Sequence, residues 1–191
     1  MSHFVPRLAL LTFFWTFFVT AQGPDAGIDD DLLAMGYEEP IFSNTSNATN
    51  FRTLFMAMKA AELDNILALN GAFTIFAPSD KAFDTLFGNT DSDFFKAENK
   101  SDLQALLRYH IIAGKFSASN LLSALCKGQG TAKLMTVQGE ALTVSIQGID
   151  IVLTDSFGNS AKIITADTNR CNGVIHTIDS VILPSKMAYL P

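Results

Sequence analysis

The chain of 191 residues is short of charge: Asp, Glu, Lys and Arg together make up 17% of it, against roughly a quarter in an average soluble protein. Basic residues are the scarcer sign, 13 Lys and Arg against 19 Asp and Glu, which leaves a net charge of −6. No basic cluster stands anywhere along the chain. Affinity for nucleic acid depends on neutralising phosphates, so that class of partner is excluded. The signatures of common catalysis are missing too. There is no phosphate loop of the Gly-Lys-Ser/Thr type and no Gly-x-Ser-x-Gly elbow. A lone Gly128-Gln129-Gly130 has Lys133 where a dinucleotide fingerprint needs its third glycine. Beyond the N-terminal His3, only His110 and His176 occur, without the spacing of a zinc site. Asn89-x-Asp91-x-Asp93 opens like a calcium loop, but Phe94 takes the place of the turn glycine and Lys100 that of the bidentate glutamate. The sequence therefore predicts no metal, no cofactor and no enzyme.

What is present is apolar. Hydrophobic residues reach 48% of the chain, enough to bury one core of ordinary size. Residues Leu8 to Val19 form an apolar run too short to span a bilayer, which takes about 20 residues. Val19-Thr20-Ala21 follows with the small residues that signal peptidase accepts, so residues 1–21 read as a signal peptide cut after Ala21. No cysteine stands at that cut to carry a lipid, and residues 185–191 are a tail too short for a glycolipid signal. The expectation is a secreted or periplasmic protein with no stable membrane anchor.

An oxidising compartment gives Cys126 and Cys171 two readings. Bridged, they would close a loop and stabilise the fold by roughly 3–4 kcal/mol. Unbridged, they are two small apolar side chains with free thiols. Residues 22–49 are acidic and polar, with Asp29-Asp30-Asp31 and an Asn/Ser/Thr cluster, and read as a spacer. Sequons for glycosylation stand at Asn44, Asn47 and Asn99.

From residue 50 the pattern becomes that of a domain. Phe51, Leu54, Phe55 and Met58 fall at helical spacing after a cap at Asn50, and Leu63, Ile66 and Leu67 continue it to a stop at Asn70-Gly71. Phe73 to Pro78 reads as a buried strand. Ser79 then caps a helix that turns Phe83, Leu86 and Phe87 inward. Ser101-Asp102-Leu103-Gln104 fits a capping box for a helix through Leu107. Strands follow at 134–137, 142–146, 149–153, 161–165 and 174–183, the first two joined by a hairpin at Gln138 to Ala141. In the last, Val174, His176, Ile178 and Ile182 share one face and Ile175, Val181 and Leu183 the other, so this strand belongs in mid-core. Helices first and antiparallel strands later predict an α+β fold without alternating parallel units.

Three segments together resemble the fasciclin-domain family. Phe73-Thr74-Ile75-Phe76-Ala77-Pro78-Ser79-Asp80-Lys81-Ala82-Phe83 resembles its first box, and Leu107-Arg108-Tyr109-His110-Ile111-Ile112-Ala113-Gly114-Lys115-Phe116 its Tyr-His segment. Asn172-Gly173-Val174-Ile175-His176-Thr177-Ile178-Asp179-Ser180-Val181-Ile182-Leu183-Pro184 is similar to the second box. The resemblance covers residues 50–184. It implies a wedge-shaped β-sandwich with helices packed at one side. It also implies a non-catalytic module of cell adhesion or extracellular-matrix contact that binds a cell-surface or matrix protein or a glycan. In animal matrix members, integrin contact is attributed to the Tyr-His segment and to an Asp-Ile pair before the second box. The matching positions here are Tyr109, His110 and Asp167, with Thr168 in place of the Ile. A small-molecule or lipid carrier with a pocket between helices and strands is the alternative reading.

Overall fold

The computed structural model describes residues 50–63, 72–88, 96–170 and 172–187. In chain order these form α1 (Arg52–Ala60), β1 (Phe73–Pro78), α2 (Asp80–Phe87), a 3₁₀ turn at Ala97–Asn99, α3 (Lys100–Tyr109) and β2 (Ile111–Ala113). Then come α4 (Ala118–Lys127), β3 (Thr131–Met135), β4 (Ala141–Gln147), β5 (Asp150–Thr154), β6 (Ser160–Arg170), β7 (Gly173–Ile178) and a 3₁₀ turn at Ser185–Met187. The α+β expectation holds.

The helix starts show which local signals suffice. Pro78 closes β1, and Ser79 caps α2 by accepting the Ala82 N–H at 3.2 Å. Phe83 is buried as expected, but Leu86 faces solvent, 40% exposed. The expected cap of α1 at Asn50 is not made by its side chain. The Arg52 and Thr53 N–H groups donate instead to the Asp80 carboxylate, at 3.3 and 2.8 Å, and the Asp80 N–H donates back to the Asn50 carbonyl at 2.9 Å. One aspartate thus opens α2 in sequence and caps α1 in space. Helix α3 begins one residue before Ser101, whose Oγ accepts from Lys186 Nζ at 3.0 Å rather than closing a capping box. Ile66, Leu67, Asn70 and the calcium-like loop at 89–93 lie outside the described residues.

The strands form one order, β2-β1-β7-β6-β5-β4-β3, rather than the two stacked layers of a sandwich. Its two ends approach each other. Ile112 bridges Thr136, and the Val137 N–H donates to the Ile111 carbonyl at 2.8 Å. The sheet therefore nearly closes into a barrel, which leaves few open edges. All pairings are antiparallel except one: β1 and β7 run parallel from Phe73↔Gly173 to Pro78↔Ile178. Two strands a hundred residues apart in sequence lie side by side in mid-sheet, a pairing that local patterning cannot reveal.

Both faces of β1 and β7 are buried, as the two-sided apolar pattern predicts. Ile75, Ala77 and Ile175 face a cluster with Leu54, Met58, Phe83, Leu103, Leu106 and Leu107 from α1, α2 and α3. Phe76 and Ile178 face the barrel interior with Tyr109, Leu121, Leu125, Leu142, Val144 and Leu153. Strand β7 ends at Ile178, yet Val181 still packs with the first cluster and Ile182 with the second. The Gly128-Gln129-Gly130 segment is the turn from α4 into β3. A Cβ on Gly128 would meet the Thr131 carbonyl oxygen at 1.9 Å, so close backbone approach explains that glycine.

Candidate functional site

Helix α3 ends by placing Tyr109 and His110 inward. Both are buried, at 0% and 1% exposure. The His110 Nδ1–H donates to the Leu106 carbonyl at 2.8 Å, and Nε2 accepts the Ile182 N–H at 3.3 Å. Its own carbonyl accepts from the Phe76 N–H at 2.9 Å. One residue thus joins α3, β1 and the segment after β7, in the neutral form with one ring nitrogen donating and the other accepting. Burial pulls its pKa from 6.5 down to about 4, against the opposing pull of the Leu106 carbonyl and the Asp155 charge.

Tyr109 projects into the barrel cluster, and its hydroxyl has no hydrogen-bond partner. Burial, then the charges of Asp155 and Glu140, push its pKa up to about 12, while the Ser156 backbone tempers the rise without closing a bond. Asp155 is buried as well. Its Oδ1 accepts the N–H groups of Phe157 and Asn159, both at 2.9 Å. Its Oδ2 accepts from Asn159 Nδ2 and from the Leu183 N–H, both at 3.0 Å. A carboxylate so surrounded by donors is a structural anchor.

The third candidate is exposed but not idle. Asp167 stands in β6, where the register with β7 shifts, and takes a left-handed conformation at φ 59° that aspartate tolerates better than most residues. Its Oδ1 accepts the Ala118 N–H at 2.8 Å, helping Ser117 to cap α4, and its N–H donates to His176 Nδ1 at 3.2 Å. The His176 Nε2–H donates to the Phe116 carbonyl at 2.7 Å, and the ring stacks on Phe76 with centroids 5.6 Å apart. Burial lowers the His176 pKa, opposed by that carbonyl bond and by the Asp167 charge.

The structure therefore does not gather the three expected contact residues into one surface. Tyr109 and His110 cannot touch a partner without opening the core, and Asp167 is tied to α4. The physical reason is shared: each sits where a helix end must be fixed to the sheet. Cys126 lies on the exposed side of α4, opposite Leu121 and Leu125, and Cys171, with which it would pair, lies outside the described residues. Asn44 and Asn47 lie outside them also, and Asn99 stands half-buried where α3 begins. Among the described residues no group of three or more His, Cys, Asp or Glu gathers as a metal site would require. Nor is any helix there long and apolar enough to cross a membrane.

A buried Tyr-His helix end, a central strand with a stacked histidine and a nearly closed seven-stranded sheet together define the class of fold. The fasciclin domain model matches residues 49–184, and the chain belongs to that family. It is 38% identical to Protein sll1483 of Synechocystis over 134 residues, 70% of this chain and 67% of that one. It is 30% identical over 151 residues to the cell surface glycolipoprotein MPB83 of Mycobacterium bovis, covering 77% of this chain and 61% of that one. Among solved structures it is similar to a FAS1 domain pair from the insect cell adhesion molecule Fasciclin I, at a TM-score of 0.51 and 27% identity. That match covers 69% of this chain and 44% of the other, so the chain spans less than half of the domain pair.

Proposed function

We propose that this chain is an exported, non-catalytic interaction module that binds a cell-surface or matrix protein or a glycan through its outer surface. The observation that carries the reading is where its reactive side chains go. His110, His176 and Asp155 use their polar atoms on backbone groups inside the fold, which leaves none of them as an oriented base. Recognition by surface complementarity remains. Relatives described as a cell surface glycolipoprotein and a cell adhesion molecule support the same reading.

The test uses the chain secreted by its own host. N-terminal sequencing is expected to find Gln22 first, and the labelled protein is expected to bind intact host cells or their matrix saturably. Pretreating the cells with protease or glycosidase then separates a protein partner from a glycan. Intact Met1 in a membrane fraction, or binding that never saturates, would overturn the reading.

A further inference from the structure

Residues 114–118 carry the chain from β2 into α4, and three side chains of the sheet hold them. Thr74 Oγ1 accepts the Phe116 N–H at 2.8 Å and donates to the Gly114 carbonyl at 2.7 Å. The His176 Nε2–H holds the Phe116 carbonyl, and the Asp167 carboxylate holds the Ala118 N–H. The last two are coupled, because the Asp167 N–H donates to the other nitrogen of the same imidazole. We propose that this corner is an acid-released latch, in which protonation of His176 frees the start of α4 from β6 and β7 while the rest of the core stays folded.

The hydrogen-bond pattern gives the reason. A neutral ring with its proton on Nε2 offers one donor and one acceptor, and both are matched. A second proton, on Nδ1, would set a donor against the Asp167 N–H. The groups that face the ring leave little compensation. Strand β1 presents Phe76, the corner presents the Phe116 carbonyl, and β6 presents the one charged group, the Asp167 carboxylate. That carboxylate is already engaged on α4. If the imidazolium draws it away, the helix loses its cap; if not, a buried charge is left unmatched. Either course loosens the same corner. Helix α4 buries Leu121 and Leu125 as its apolar anchors, against five buried side chains in α3, so its entrance has less to hold it once released.

His110 has the same chemistry between partners that are themselves buried. It keeps both bonds inside the core, and burial holds it neutral to lower pH than its free value allows.

Amide exchange of the full chain, corrected for the intrinsic effect of pH, tests the latch between pH 7.5 and 4.5. Protection at 116–127 is expected to fall about tenfold or more as the His176 ring takes up its proton while 174–178 stays protected, the signature of a local opening. His176→Gln keeps an amide donor for the Phe116 carbonyl and cannot take up the proton, so its corner is expected to stay closed over the same range. The ring signals of His176 in the unaltered protein give a second readout that needs no variant. Ring protonation coincident with loss of protection at 116–127 supports the latch. A corner that stays protected after the ring has titrated, or that opens at the same pH in His176→Gln, would overturn it.

Discussion

The domain solves one problem twice, on its helical side and at the entrance of α4. On the helical side, His110 joins α3 to the sheet, and Asp80 caps α1 from 27 residues away. At the α4 entrance, His176 joins the incoming loop to the sheet, and Asp167 caps α4 from 49 residues away. The chemistry is the same: a neutral imidazole bridging two backbone groups, and a carboxylate receiving helix N–H groups. Depth differs. His110 is enclosed by the α3 end and the segment after β7, whereas the bonds of His176 lie where Asp167 and the start of α4 meet solvent. On the latch proposed above, the exposure of the partners rather than residue type separates a permanent rivet from a releasable one.

The sharpest way to separate them is pH. The His110 pKa is depressed in the fold, from 6.5 to about 4, so the unfolded chain takes up its proton first. Its stabilising effect is complete above pH 6.5 and is lost as the pH falls toward 4. The loss amounts to about 3 kcal/mol between pH 7.5 and 4, because a tenfold change in proton affinity is worth about 1.4 kcal/mol. Urea unfolding across that range measures it, and His110→Gln is expected to flatten the dependence. An unchanged slope in that variant would mean that other groups carry the acid sensitivity.

The two carboxylates provide the next contrast. Asp80 is half-buried and serves two N–H groups, so Asp80→Ala is expected to cost about 1–2 kcal/mol. Asp167 is exposed and serves one at α4, and Asp167→Gly removes its carboxylate without penalising the left-handed backbone. Its expected cost is about 0.5–1 kcal/mol, read from the same urea midpoints. Equal costs would mean that exposure does not discriminate the two ends. Binding to host cells, measured alongside, asks separately whether Asp167 also meets a partner.

Much of this was legible in the sequence, and the limits follow from range. Ser79 after Pro78, the hairpin between β3 and β4 and the two-sided β7 are local signals, and each appears as expected. The family boxes identified the fold class, and the role of His110 as a tie between helix and sheet could be argued from its place after an amphipathic helix. What the pattern could not carry was pairing at a distance. The parallel contact of β1 with β7, the near closure of β2 onto β3, and the capping of α1 by Asp80 all join residues far apart in sequence. The ties of Asp167 belong with these. It falls between the strands expected at 161–165 and 174–183, and its partners, Ala118 and His176, lie 49 and 9 residues away.

Tyr109 gives the smallest expected effect and the finest test of the comparison. Its ring is part of the barrel cluster, while its hydroxyl is buried without a partner beside the charges of Asp155 and Glu140. A buried hydroxyl that makes no protein hydrogen bond gives up part of its hydration, at a cost of about 1 kcal/mol beside two carboxylates. Tyr109→Phe keeps the ring and removes that cost, so stability is expected to stay level or rise by up to about 1 kcal/mol. The resemblance to integrin-binding members implies the opposite sensitivity, with unchanged folding and weakened attachment. Thermal unfolding and cell binding of the same variant decide between them. Higher stability with full binding places Tyr109 wholly within the fold. Lost binding at unchanged stability would instead require the core to open when a partner docks. A clear loss of stability would show that the hydroxyl is bridged, through ordered water, to the carboxylates beside it.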